Sequence, residues 1–219
     1  MSANRYAEGV DWVMRDLEGI QPSPDPAVLK PYLEELFSWN PRLGLVSKKD
    51  TEKTVSKLIQ LSISLWNFTY QNQHPSLEPA MAPFMDIGTG GGFPGLIWKM
   101  INPDLECCLV ERKVTKAQFL NRVIRTFSWS GVEVVAADAA DLYRNTRYQE
   151  SFSLVTMIAV KPPPVLAQAI EAFLKPEGYF CTVRSSSQKI IEDRLGENLF
   201  LQKALTYEEG ILVLYRKAQ

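Results

Sequence analysis

Tyr6, Val10, Val13, Met14 and Leu17 recur at intervals of three and four, and Leu29, Tyr32, Leu33 and Leu36 repeat that spacing. The pattern predicts two amphipathic helices. Asp25 before Pro26 supplies a cap and a first-turn proline for the second, while Pro31 inside it predicts either a kink or a later start. The stretch WNPRLGLVSKKD, Trp39 to Asp50, reads as a turn and irregular connection. A third helix is predicted from near Asp50, burying Val55, Leu58, Ile59, Leu65 and Trp66. YQNQHPSLEPAMAP, rich in Gln and Pro, then reads as a linker.

From Pro83 the period changes. FMDIG, LECCLV, VEVVAAD, FSLVTMIAV and GYFCTV are strand-like, and PGLIWKMI, VTKAQFLNRVIRTF and PVLAQAIEAFL between them are helix-like. Strands alternating with helices predict βαβ units, hence a parallel sheet covered on both faces. GILVLYRK adds a final strand, expected antiparallel at an edge. The fold class is therefore α/β: a Rossmann-like, doubly wound sheet over residues 80–219, preceded by a helical segment and linker over 1–79.

Composition narrows the class without changing it. The 219 residues are 46% hydrophobic and 22% charged, a globular balance. No run of 18 apolar residues occurs, and Asp11, Arg15, Asp16 and Glu18 stand where a signal peptide would be apolar, so a soluble cytoplasmic protein is expected. Cys107, Cys108 and Cys181 lie in apolar runs without metal-ligand spacing and read as reduced core residues, with no metal site. The net charge of −1 means that a polyanion must be met by a local patch. His74, the single histidine, sits in a polar stretch and receives no role.

In an open α/β sheet the ligand crevice lies at the carboxyl ends of the central strands, so FMDIGTGGGFPGLI, Phe84 to Ile97, is the place to look. Gly88, Gly90 and Gly92 let a ligand approach backbone, Gly95 permits close helix packing, and the amides at the helix start favour a carboxylate or phosphate. Gly90, Gly92 and Gly95 spell G-x-G-x-x-G, which suits NAD as well. Glu111 ends the second strand about 20 residues on, where an acid meets ribose hydroxyls. Asp86 separates the two cofactors: a carboxylate before the turn repels pyrophosphate and suits the amino group of S-adenosylmethionine. The bland alternative is a glycine turn that serves only as a tight corner.

FMDIGTGGGFPGL, LVERKVTKAQFLNRV, VEVVAADAADL and WNPRLGLVSKKD together resemble the RsmG-type (glucose-inhibited division protein B) methyltransferases over roughly residues 25 to 183. The resemblance implies a class I methyltransferase domain that uses S-adenosylmethionine to methylate N7 of a guanine in 16S ribosomal RNA. By matching positions, Gly88 and Phe93 would line the cofactor pocket, Glu111 would hold the ribose, and Ala139 with Ala140 would border the adenine. The chain departs from the family in three places. An Arg-His pair and Asp of the third helix correspond to Lys57, Leu58 and Leu61; Ser-Arg-Ala after the fourth strand reads Met157-Ile158-Ala159; Leu-Lys-Gly after the fifth reads Val183-Arg184-Ser185. Lys161 and Arg184 are the cations that could replace the missing arginine.

N7 of guanine carries a free lone pair, so its methylation needs alignment but no general base, and a sheet domain without histidine is compatible with that target. VKPPPV after the fourth strand reads as a rigid rim or an ordinary loop leading into a helix. Lys48, Lys49, Lys53 and Lys57, with Arg112, Lys113 and Lys116, are placed to meet RNA phosphates or simply to solvate helix faces. Trp39 and Trp66 fall on apolar helix faces and read as core. The partner expected is 16S ribosomal RNA or a small-subunit precursor, met by a monomer. The alternatives are a divergent methyltransferase acting on another RNA or a small molecule, and a silent RNA-binding module that keeps the pocket.

Overall fold

Three helices precede the sheet in a computed structural model of the chain, which describes residues 2–71, 83–158, 162–185, 191–207 and 210–219. They are α1 (Ser2–Asp16), α2 (Pro26–Leu43) and α3 (Thr51–Trp66), the last running into a π-helical turn at Asn67–Gln71. Asp25 caps α2 by accepting from Ala27 N at 2.9 Å. Pro31 neither delays nor ends this helix. The one carbonyl it leaves without a helical donor is that of Ala27, an exposed residue where water can substitute. The irregular connection expected from Trp39 begins later, because WNPRL is still helical and Gly44, left-handed at φ 59°, ends α2 by donating to Asn40 O. In α3 the buried positions are Val55, Ser56, Ile59, Ser62, Ile63, Leu65 and Trp66, and Leu58 is half-buried. Most of the Gln/Pro-rich linker, His74 included, lies outside the described residues.

The sheet domain runs β1 (Phe84–Ile87), α4 (Gly95–Ile101), β2 (Cys107–Val110), α5 (Val114–Thr126), β3 (Val132–Val135), α6 (Ala139–Leu142), β4 (Phe152–Met157), α7 (Pro164–Phe173), β5 (Leu174–Arg184), β6 (Arg194–Leu195), β7 (Leu199–Tyr207) and β8 (Gly210–Lys217). Its strand order is β3-β2-β1-β4-β5-β8-β7-β6, with the first five parallel and the last three antiparallel. GILVLYRK is thus antiparallel as expected but not outermost, since β7 and β6 lie beyond it.

Period two sorts the strands between two cores. Phe84, Cys107 and Leu109 face a cluster shared with α1 to α5, while Met85, Cys108 and Val110 face a cluster with α6 and α7. The N-terminal helices pack into the first cluster through Val10, Leu33, Leu36 and Ile59 instead of forming a core of their own. Trp66 meets Trp98 edge-on at 5.6 Å, as a core tryptophan. Trp39 is only half-buried, bracketed by Arg42 and Arg122 at 5.9 and 5.6 Å, with Arg122 in a two-pronged ion pair with Glu35 that ties α2 to α5.

Candidate active site

The strand order reverses between β1 and β4, and the Gly88–Pro94 turn sits at that switch point. Most of its amides have internal acceptors. Gly88 N and Thr89 N donate to Val110 O, Gly92 N and Phe93 N to Thr89 O, and Leu96 N to Gly92 O. Gly90 N donates to Glu111 Oε2 at 3.1 Å and Gly95 N to Asp86 Oδ2 at 3.0 Å. The helix start expected to receive a ligand carboxylate is therefore already hydrogen-bonded within the protein, and α4 has only 7 residues behind it.

Asp86 corrects a second expectation. It is fully buried on the α4 side of β1, with Oδ2 on Gly95 N and Oδ1 accepting from Thr156 Oγ1 at 3.0 Å. Burial raises its pKa to about 7, opposed by the Thr89 hydroxyl, the Gly95 amide and the Thr156 hydroxyl. The carboxylate braces the start of α4 from beneath, and it is not among the residues that line the cleft beside the turn. The packing there is close enough that a Cβ at Gly95 would run into Leu109 and the Asp86 carboxylate.

Beside the turn lies a cleft of about 280 Å³ lined by Ile87, Gly88, Val110, Glu111, Arg112, Lys113, Lys116, Ala137, Asp138, Ala139 and Leu166. It unites Gly88, Glu111 and Ala139. Gly88 has a φ of 73°, and its missing Cβ would project into open space, so backbone faces the cleft directly. Glu111 is buried, accepting from Gly90 N through Oε2 and from Lys113 N at 2.8 Å through Oε1. One carboxylate thereby ties the turn to the end of β2. Phe93 does not line this cleft: it is buried towards α2, its ring edge-on to Tyr32. Ala140 is absent from the lining too, and donates its amide to Asp138 Oδ1 at 2.9 Å. Asp138, the cap of α6, belongs to the wall, and its place before AADL was the available signal.

Arg112, Lys113 and Lys116, expected on an RNA face, line this cleft beside Glu111. Desolvation lowers the pKa of Lys116, with Glu111 pulling it back up. Lys48, Lys49, Lys53 and Lys57 are exposed, and Lys48 Nζ holds Pro41 O at 2.8 Å. Lys48 and Lys49 follow Leu45, whose carbonyl abuts the turn at Gly90.

At the end of β4, Ile158 packs against the first core cluster and offers no donor. Arg184 ends β5 and is 2% exposed, and among the described residues its Nη1 and Nη2 have no acceptor; it lies beside the Tyr215 hydroxyl, whose pKa burial raises and the Arg184 guanidinium pulls back down. Lys161 lies outside the described residues. Among those described, no cluster of His, Cys, Asp and Glu could hold a metal ion, and no helix is long and apolar enough to cross a membrane.

A family described as GidB, rRNA small subunit methyltransferase G, matches residues 26–208. The chain is 31% identical over 165 residues to the ribosomal RNA small subunit methyltransferase G of Desulfitobacterium hafniense, covering 74% of this chain and 65% of that protein. It is 34% identical over 156 residues to the one of Leuconostoc mesenteroides, covering 71% and 63%. The match thus spans just under two thirds of these relatives' length. Among solved structures, a SAM-dependent methyltransferase from Aquifex aeolicus superposes with a TM-score of 0.53 at 12% identity, covering 74% of this chain and 98% of that one. TrmN from Thermus thermophilus gives 0.55 at 15%, covering 73% and 48%. At such identities the likeness shows the fold.

Proposed function

Because the chain belongs to the GidB family of small-subunit ribosomal RNA methyltransferases G, we propose that it is an S-adenosylmethionine-dependent methyltransferase acting on N7 of a guanine in 16S ribosomal RNA, as a cytoplasmic monomer. The observation that carries this reading is the joining of Gly88, Glu111 and Ala139 in one cleft at the switch point of the sheet. Glu111 has acceptor capacity left for two ribose hydroxyls after its two backbone bonds. Ile87, Val110, Ala139 and Leu166 give an apolar slot for a purine, and Gly88 lets the ligand lie against backbone.

The cofactor supplies an electrophilic methyl group on a sulfonium. What the protein contributes is alignment: N7, methyl carbon and sulfur must lie in line, and the lone pair on N7 removes any need for a base. Arg184 at the end of β5 and Lys161 after β4 are the cations proposed to hold the target nucleotide in place of the family arginine. Lys48, Lys49, Lys53 and Lys57 are proposed to meet flanking phosphates. Arg112, Lys113 and Lys116 would do so at the cofactor cleft itself, so that RNA and cofactor share a border.

Mapping 16S ribosomal RNA by mass from cells with and without the gene tests the reading. Loss of one guanine methylation without the gene is expected; an unchanged pattern would sink the assignment of target. Ile158 favours a second reading, in which the same cofactor serves another RNA, since its side chain holds no base or phosphate. Transfer of labelled methyl to total cellular RNA but not to ribosomal RNA would select it.

A further inference from the structure

One carbonyl of the glycine turn has a partner that comes from the N-terminal helices. Tyr32, on the buried face of α2, donates its hydroxyl to Gly91 O at 2.8 Å. The residue is fully buried, and burial pushes its phenol well above the ordinary range, so the group remains a donor at any physiological pH. Two further contacts frame this bond. Leu36 Cδ1 stands 3.4 Å from the position of a Cβ on Gly91, and Leu45 O stands 3.4 Å from the corresponding position on Gly90. The Tyr32 ring itself lies edge-on to Phe93 with centroids 6.2 Å apart.

The turn needs such a fixture. The peptide between Gly91 and Gly92 is flanked by glycine on both sides, so no Cβ restrains its rotation and hydrogen bonds at its two ends must: Gly92 N donates to Thr89 O at 2.8 Å. Its carbonyl is the one that Tyr32 holds. One residue earlier, at the Thr89–Gly90 peptide, Gly90 N is held by Glu111, whose carboxylate lines the cleft. A rotation at Gly91 would therefore be felt at the Gly90 amide and at the acid placed to meet a ribose.

We infer that Tyr32 is a positioning residue for the nucleoside ligand: its hydroxyl fixes the Gly91–Gly92 peptide and, through it, the Gly90 amide and the Glu111 carboxylate. This rests on the proposal that the cleft takes an S-adenosyl ligand. The helical segment then completes the cofactor site from outside the sheet domain, at a residue that touches no ligand.

Tyr32→Phe removes one oxygen and keeps the ring. Leu33→Val, on the same helix and fully buried, thins the core without removing a bond to the turn. Each variant is titrated with S-adenosylhomocysteine by calorimetry below its unfolding midpoint, and amide hydrogen exchange is measured without ligand. Tyr32→Phe is expected to weaken binding about tenfold, the usual order for one buried hydrogen bond, and to speed exchange at Gly90 and Gly92 while β2 keeps its protection. Leu33→Val should lower the midpoint yet bind within about twofold of the parent. Binding by Tyr32→Phe within twofold of the parent, or an equal loss in Leu33→Val, overturns the inference. If the parent itself binds no S-adenosylhomocysteine, the cofactor reading has failed, and exchange decides the role of Tyr32: unchanged exchange at the turn overturns it, faster exchange confined to the turn supports it.

Discussion

The two halves of the crevice are built differently. On the β1–β2 side, Glu111 and Tyr32 bond to the turn and Asp86 to Gly95 at the start of α4, with Thr156 of β4 reaching across to hold Asp86 in place. On the β4–β5 side, Ile158 is apolar and Arg184 carries nitrogens without an acceptor among the described residues. The contrast teaches that the turn is preorganised by the protein's own hydrogen bonds, whereas the proposed acceptor side ends, among the described residues, in a buried guanidinium without an acceptor. Under the proposed function, the phosphate of an incoming nucleotide is the acceptor for this guanidinium.

The largest expected effect breaks the preorganised half. Gly95→Ala forces a methyl into Leu109 and the Asp86 carboxylate, so urea denaturation should show a loss of about 3 kcal/mol, and S-adenosylhomocysteine binding should disappear. Next, Glu111→Ala should weaken that ligand by about 1 to 3 kcal/mol in calorimetry, since both the ribose acceptor and the tether to Gly90 are lost. Unchanged affinity would place the ribose elsewhere.

On the acceptor side, Arg184→Met should reduce single-turnover methyl transfer at least tenfold, about 1.4 kcal/mol of barrier, without lowering the unfolding midpoint or the cofactor affinity. A fall in midpoint with full transfer would make Arg184 structural and erase the contrast.

The smallest effect at neutral pH sharpens the picture at Asp86. Its pKa in the fold, about 7, is raised above the ordinary carboxylate value, so the folded state holds a proton that the unfolded chain releases. The stability from that proton is complete below about pH 4 and lost as pH rises through 7. Asp86→Asn keeps an acceptor for Gly95 and should flatten this part of the stability profile between pH 4 and 8. A profile identical to the parent's would show that Asp86 does not titrate in that window.

The parallel half of the fold was readable because β1, β2 and β4 are short apolar runs each followed by a helix-like stretch, as in LECCLV before VTKAQFLNRVIRTF. The antiparallel edge was not. In β7, Gln202 to Thr206 are all exposed and a bulge between Leu201 and Lys203 breaks the alternation, so neither face shows an apolar row. At the site, Gly88 and Glu111 follow from the motif and its spacing. The direction of Asp86 does not, because every residue of β1 is buried and nothing in FMDI tells which face carries α4. Tyr32 was legible only as a core position. Its hydroxyl acts on a residue 59 positions away, and helical periodicity carries no information about that.

The three cysteines turn this layering into something a chemist can read. Cys107 and Cys181 lie in the cluster beneath α1 to α5, Cys108 in the one beneath α6 and α7, and all are free and buried. Burial pushes the thiols of Cys108 and Cys181 up to about 12, and that of Cys107 higher still, so none is a nucleophile while its layer is closed. An alkylating reagent then acts as a clock on opening, and the order in which the neighbours Cys107 and Cys108 are labelled tells which side of the protein loosens first.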